Sequence, residues 1–109
     1  MKEVKAYIRL IKVDQVINAL VEAGVPGFTA VEVKGFGSVA IPERLRYSSE
    51  FSGKVSPLIK LELVCKEDDL EGIVELIKNT AYTGHDGDGI IIVYDVGYMV
   101  KIKTGEKTF

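Results

Sequence analysis

Val4, Ala6, Ile8 and Leu10 alternate with Lys5, Tyr7 and Arg9, the period of a half-buried strand, and the alternation ends near Lys12. Val13, Val16, Ile17, Leu20 and Val21 then fall at helical spacing on one face, and Gly24 followed by Pro26 supplies a stop. A second strand carries Thr29, Val31 and Val33 on one side and runs to Gly35. From Ser38 to Ser56 neither period is sustained. Alternation resumes at Pro57, after which Ile59, Leu61, Leu63 and Cys65 oppose Lys60, Glu62 and Val64. Carboxylates in the Glu67–Asp69 region suit the N-terminus of a second helix, with Leu70, Ile73, Val74 and Ile77 as its buried stripe. A glycine-dense turn, Gly84–Gly89, leads into the continuous apolar run Ile90 to Val93, and a last strand is predicted from Tyr98 to Ile102.

Strand–helix–strand followed by strand–helix–strand predicts an α+β fold, the ferredoxin-like βαββαβ sandwich, in a single domain over residues 1–109. The run Ile90–Val93 implies burial on both faces, yet two helices cover only one face of a sheet. The uncovered face predicts self-association. The 38–56 loop is long for a connector in a compact domain and is expected to touch something. Ile41, Leu45, Tyr47 and Phe51 form an apolar set for an exposed loop, flanked by Arg44 and Arg46, and read as anchors for a protein partner.

Composition narrows the class. The chain has 109 residues, 47% hydrophobic and 28% charged, which is globular and near the size where oligomerisation helps bury surface. No apolar run approaches a membrane span and Met1 opens onto a charged strand, so a cytoplasmic location is expected. A net charge of −2 gives no basic face for nucleic acid. Cys65, the single cysteine, excludes an internal disulfide and reads as a buried inert thiol. His85 with Asp86 and Asp88 lacks a second His or Cys at ligand spacing, so no metal site is expected; aspartates in such a turn satisfy backbone amides. One histidine and no nucleophile–base motif argue against an enzyme.

Three blocks carry a resemblance: GFTAVEVKGFG at Gly27–Gly37, TGHDGDGIIIVYDV at Thr83–Val96 and KIKTGE at Lys101–Glu106. In order and spacing they resemble the P-II signalling family, across nearly the whole chain without an obvious gap. The resemblance implies a homotrimer with sheets facing inward and long loops projecting outward. It implies an adenine nucleotide, AMP, ADP or ATP, as a reversible effector, with no tightly bound cofactor. The ligand would lie between subunits, held by the end of the second strand (Gly35, Phe36, Gly37, Ser38), the glycine turn (Gly87, Asp88, Gly89, Ile90) and Lys101 with Lys103. Thr29 would offer its hydroxyl to the base and Val64 its backbone. The chemistry is readable here as well: glycines at 35, 37, 87 and 89 admit an anion to backbone amides, and Lys101 and Lys103 lie one strand period apart. Asp88 fits better as the residue holding the turn.

Departures from the family pattern limit the carry-over. Its Arg-Gln-Lys-Gly run is replaced by Ser38, Val39, Ala40 and Ile41, and its lysine for 2-oxoglutarate by Leu58. Weak or absent 2-oxoglutarate binding is therefore expected. The turn ends in Ile90 where the family has lysine, and Lys101 and Lys103 replace arginines, losing the bidentate fork. AMP, ADP or a cyclic nucleotide thus fits better than a triphosphate. The uridylylated tyrosine is aligned with Phe51; Tyr47, Ser48 and Ser49 lie nearby, and an unmodified loop is the simpler reading. The expected function is a P-II-like signalling protein in which effector binding changes the order of the loop, which docks on a target enzyme or transporter. Two alternatives stay open: a trimeric adaptor without nucleotide binding, and a sensor of another anion such as bicarbonate.

Overall fold

The computed structural model describes residues 1–109. Strand β1 (Lys2–Ile8), helix α1 (Val13–Glu22), β2 (Thr29–Gly35), β3 (Arg46–Ser48), β4 (Gly53–Cys65), α2 (Glu67–Ala81), β5 (Ile90–Asp95) and a terminal hairpin of β6 (Met99–Val100) and β7 (Lys107–Thr108) follow in order. The main sheet runs β2-β4-β1-β5, every pair antiparallel, with β3 extending β4. This is the ferredoxin-like arrangement.

The alternation places one side chain in two on the helix layer. Val4, Ala6 and Ile8 of β1 and Leu61, Leu63 and Cys65 of β4 meet Val16 and Leu20 of α1 and Ile73, Ile77 and Ala81 of α2 in one buried cluster. Each fully buried aliphatic side chain there contributes about 1.5–3 kcal/mol relative to exposure. Cys65 is buried in this cluster, and burial raises its thiol pKa. No side chain caps α2, but Glu67, Asp68 and Asp69 in its first turn oppose the positive end of the helix dipole. Helix α1 stops as the pattern predicts, with Gly24 in the left-handed region at φ 84°. No helix is long and apolar enough to cross a membrane.

The opposite face of the sheet is mixed. Register places Glu3, Lys5 and Tyr7 beside Lys60, Glu62 and Val64, with Ile90, Ile92 and Tyr94 on one flank and Thr29, Val31 and Val33 on the other. Lys60 pairs with Glu62 at 2.8 Å, and the Lys5 ammonium lies 4.8 Å from the centre of the Tyr94 ring.

Several expectations are corrected. β1 ends at Ile8 and not near Lys12; Leu10–Lys12 form a 3₁₀ turn. The run Ile90–Val93, by contrast, is left incompletely covered in the single chain as expected, with Ile90 45% exposed. The interval 38–56 is not an irregular loop throughout. It contains 3₁₀ turns at Gly37–Val39 and Pro42–Arg44, the short β3, and the start of β4 at Gly53, before Pro57. Gly53, Pro57 and a lone apolar Val55 hide that start, because both Gly and Pro argue against a strand. β4 overruns β1, whose register ends at Ile8↔Ile59, so Pro57 has only β2 beside it, a position where proline is tolerated. The predicted strand Tyr98–Ile102 shrinks to two residues, and Ile102 stands 99% exposed in the turn of the terminal hairpin.

Candidate functional site

The glycine turn after α2 is set by Asp88. Its carboxylate accepts the amides of Thr83 at 2.8 Å and Gly84 at 2.9 Å, and also the Thr83 hydroxyl. Burial acts to raise the Asp88 pKa, but the hydrogen bonds from Thr83, Arg9 and Gly84 outweigh it and hold the carboxyl far below the usual carboxylate range. Asp88 is thus committed to the turn.

The fourth donor to Asp88 was not legible as a site residue. Arg9, just beyond β1, is only 4% exposed. Its Nε donates to Asp88 Oδ1 at 2.9 Å, its Nη2 to the Asp86 carbonyl at 2.6 Å, and its Nη1 to Glu43 Oε1 in the 38–56 loop. Those partners lie 79, 77 and 34 residues away in the chain, so alternation assigns Arg9 to solvent and nothing local contradicts it. The hydrogen bond from Arg9 also lowers the Glu43 pKa.

A depressed Asp88 pKa stabilises the fold fully above the carboxyl's unfolded value, about 3.9, and that stability is lost as pH falls towards the folded value. Urea unfolding at pH 6 and pH 3 tests this. Wild type is expected to lose more stability over that interval than Asp88→Asn, which has no carboxylate to protonate; equal losses would remove Asp88 as a source of acid sensitivity.

Three of the four glycines expected to admit an anion also stand where protein atoms crowd the space a side chain would take. A Cβ on Gly87 would come within 2.8 Å of Ile41 Cα and 2.9 Å of Pro42 Cδ. A Cβ on Gly89 would overlap the Tyr7 carbonyl, and one on Gly35 would overlap Leu58 Cδ2. Only Gly37, at φ 60°, faces open space. Leu58 is fully buried beside Gly35.

The remaining candidates divide into separate groups. Gly35, Phe36, Gly37 and Ser38 lie at the loop end of β2, and the turn Gly87–Ile90 abuts the same loop through Ile41 and Pro42. Thr29 begins β2 and pairs with Glu62, two residues from Val64, at the far end of the strand. At about 3.3 Å per residue, the strand length separates Thr29 from Gly35 by about 20 Å. Lys101 and Lys103 are corrected from strand to turn: both are exposed in the terminal hairpin, where the Lys101 amide bonds the Glu106 carbonyl at 3.0 Å and neither ammonium makes an ion pair. A mostly apolar cleft of about 340 Å³ lies between α2 and β5, lined in part by Tyr7, Ile77, Tyr82, Gly89 and Ile91, and its lysine, Lys78, is paired with Glu75.

Of the loop residues, Arg44, Leu45, Arg46 and Tyr47 are exposed. Ile41 is corrected from exposed anchor to core: it is 3% exposed, and its amide donates to Ser56 Oγ at 2.7 Å. Phe51 folds back onto the end of β2. Its ring meets Phe36 edge-on at 5.6 Å, Lys34 stands 5.6 Å from its centre, and Lys34 pairs with Glu50 at 3.7 Å.

A family model described as nitrogen regulatory protein P-II matches residues 1–106. The chain is 40% identical over 107 residues to nitrogen regulatory protein P-II 1 of Escherichia coli (strain K12), covering 98% of this chain and 96% of that protein. It is equally similar to nitrogen regulatory protein P-II of Klebsiella oxytoca. It is 41% identical over 106 residues to nitrogen regulatory protein P-II of Mesorhizobium japonicum (strain LMG 29417 / CECT 9101 / MAFF 303099), covering 97% and 95% of the two chains.

Proposed function

The chain belongs to the P-II family of nitrogen regulatory proteins, which are regulatory signalling proteins and not enzymes, and from that premise we propose that it is a homotrimer that binds an adenine nucleotide between its subunits. The observation carrying this reading is the separation along β2. Thr29 and Val64 sit at one end of the sheet, while Gly35–Ser38 and the glycine turn sit at the other, about 20 Å away. A nucleotide that used both groups would need two copies of the chain. One copy then supplies Gly37, Ser38 and the turn Gly87–Ile90, and its neighbour supplies Thr29, Val64 and the exposed Lys101 and Lys103. The uncovered sheet face, flanked by Val31, Val33, Ile90 and Ile92, supports such an assembly.

Charge favours AMP, ADP or a cyclic nucleotide over ATP, because Lys101 and Lys103 are the only cations among these residues. Effector binding changes the 38–56 loop, and Arg44, Leu45, Arg46 and Tyr47 present its target-facing surface to an enzyme or transporter. Calorimetry of the trimer with AMP, ADP, ATP and cyclic AMP, with and without 2-oxoglutarate or bicarbonate, tests the reading. Saturable binding of a nucleotide is expected, weakened by Lys101→Glu/Lys103→Glu and by Gly37→Asp, and partly restored when the two variants are co-assembled. Binding by a monomer, or no recovery in mixed trimers, argues against a shared site. The packing of Gly35, Gly87 and Gly89 against protein atoms favours one other reading, an adaptor without nucleotide. A folded trimer with no calorimetric signal for any ligand would select it.

A further inference from the structure

Arg9 is hydrogen-bonded to two segments at once. On one side are Asp88 and the Asp86 carbonyl, which belong to the glycine turn; on the other is Glu43, which belongs to the 3₁₀ turn at the base of the 38–56 loop. We infer that Arg9 is a positioning residue that couples the glycine turn to the loop, with Glu43 as its releasable partner. The inference rests on the proposed function only for the identity of the signal that moves the turn.

The two sides of Arg9 are unequal. The Asp88 side chain is 23% exposed and is held by Thr83 and Gly84 as well, whereas the Glu43 side chain is 57% exposed and, Arg9 apart, is assisted only by its own backbone amide and the charge of His85. A buried guanidinium must keep an anionic partner, since an unpaired buried charge is strongly unfavourable. If Glu43 leaves, Asp88 and the Asp86 carbonyl still satisfy Arg9, and the freed carboxylate is hydrated. The loop side therefore opens without stranding a charge. The turn side is held by Thr83 and Gly84 as well as by Arg9, and that asymmetry makes Glu43 the moving part. A shift of Asp88 alters where Arg9 can aim its remaining donors, because the planar guanidinium presents them in a fixed fork.

Four amides report the two sides separately. Those of Thr83 and Gly84 donate to Asp88 in the turn, and those of Ile41 and Arg44 donate to Ser56 Oγ and the Ile41 carbonyl in the loop. Amide hydrogen exchange by NMR on the ligand-free protein tests the coupling. Thr83→Ala removes the hydroxyl bond to Asp88. It is expected to speed exchange in the turn and, through Arg9, about tenfold at Ile41 and Arg44, the scale of one charge-assisted hydrogen bond. In a Glu43→Gln background the turn should respond as before while the further response of the loop falls several-fold. Arg9→Lys, which keeps the charge but cannot reach three acceptors at once, should also uncouple them. Should Thr83→Ala leave the turn unmoved, Gly84→Ala, at a position with φ 85°, forces it. A loop that ignores a perturbed turn overturns the inference. So does a loop response that Glu43→Gln leaves intact, which would assign the coupling to the Gly87–Ile41 contact. Adding ADP to the same samples separates this result from nucleotide binding: a protein blind to ADP whose turn and loop still respond together retains the coupling and loses only the proposed ligand.

Discussion

Gly89→Ala is expected to destabilise the fold by more than about 4 kcal/mol, at the extreme of single substitutions. An added Cβ overlaps the Tyr7 carbonyl oxygen and lies 2.8 Å from the Tyr7 carbonyl carbon, both main-chain atoms. β1 is paired on both sides, to β4 and to β5, so Tyr7 cannot retreat without breaking a ladder. Gly89 also holds φ 103°, a conformation that carries a further penalty with any side chain. For a domain of this size about 1 kcal/mol moves Tm by 4–8 °C, so the melt should fall by more than about 15 °C or be lost. Gly72→Ala is the matched control. That glycine lies inside α2 with nothing near its missing Cβ, and the change should stabilise by up to about 1 kcal/mol. A Gly89→Ala protein melting within a few degrees of wild type would mean that the turn can lift off β1.

The second large effect is expected at Arg9. Arg9→Met keeps the stem that fills the buried position but removes all three hydrogen bonds, and breaking a buried ion pair by deleting one partner costs about 3–5 kcal/mol. Asp88 keeps three donors from Thr83 and Gly84, which places the loss at the lower end of that range. Glu43→Gln should cost clearly less, because the carboxylate it removes is largely hydrated already. Urea denaturation of the two variants checks that order. Equal losses would place the weight of the network on the loop side and contradict the asymmetry drawn for Arg9.

The helix layer was readable from the chain because its signal is repetitive. Each of Val4, Ala6, Ile8, Leu61, Leu63 and Cys65 is predicted inward by its neighbours, and the structure buries all six. The helix-free face was readable only as incompletely covered, since the pairing of Lys60 with Glu62 is not implied by alternation. The 38–56 interval escaped for the opposite reason. Its buried positions Ala40, Ile41, Val55 and Ser56 follow no period, and Gly53 and Pro57 disguise the start of β4. Apolar content alone made Ile41 look like an exposed anchor, whereas one hydrogen bond to Ser56 and the contact with Gly87 fix it inside. Around the candidate site, motif reasoning singled out the glycines and Asp88 and passed over Arg9. The glycines have a local signature, while Arg9 acquires its role only when three distant segments converge on it.

Ala40, Ile41, Val55 and Ser56 of the 38–56 interval are buried, and Ile41 is tied to Ser56 of β4 and closed against Gly87 of the glycine turn. Lifting this loop is therefore a local unfolding and not the swing of a rigid arm. Its free energy includes hydration of newly bared aliphatic surface, so the lifted state has the higher heat capacity and its population depends on temperature along a curve. Opening of this interval is therefore expected to respond to warmth and to cold, as any partial unfolding does.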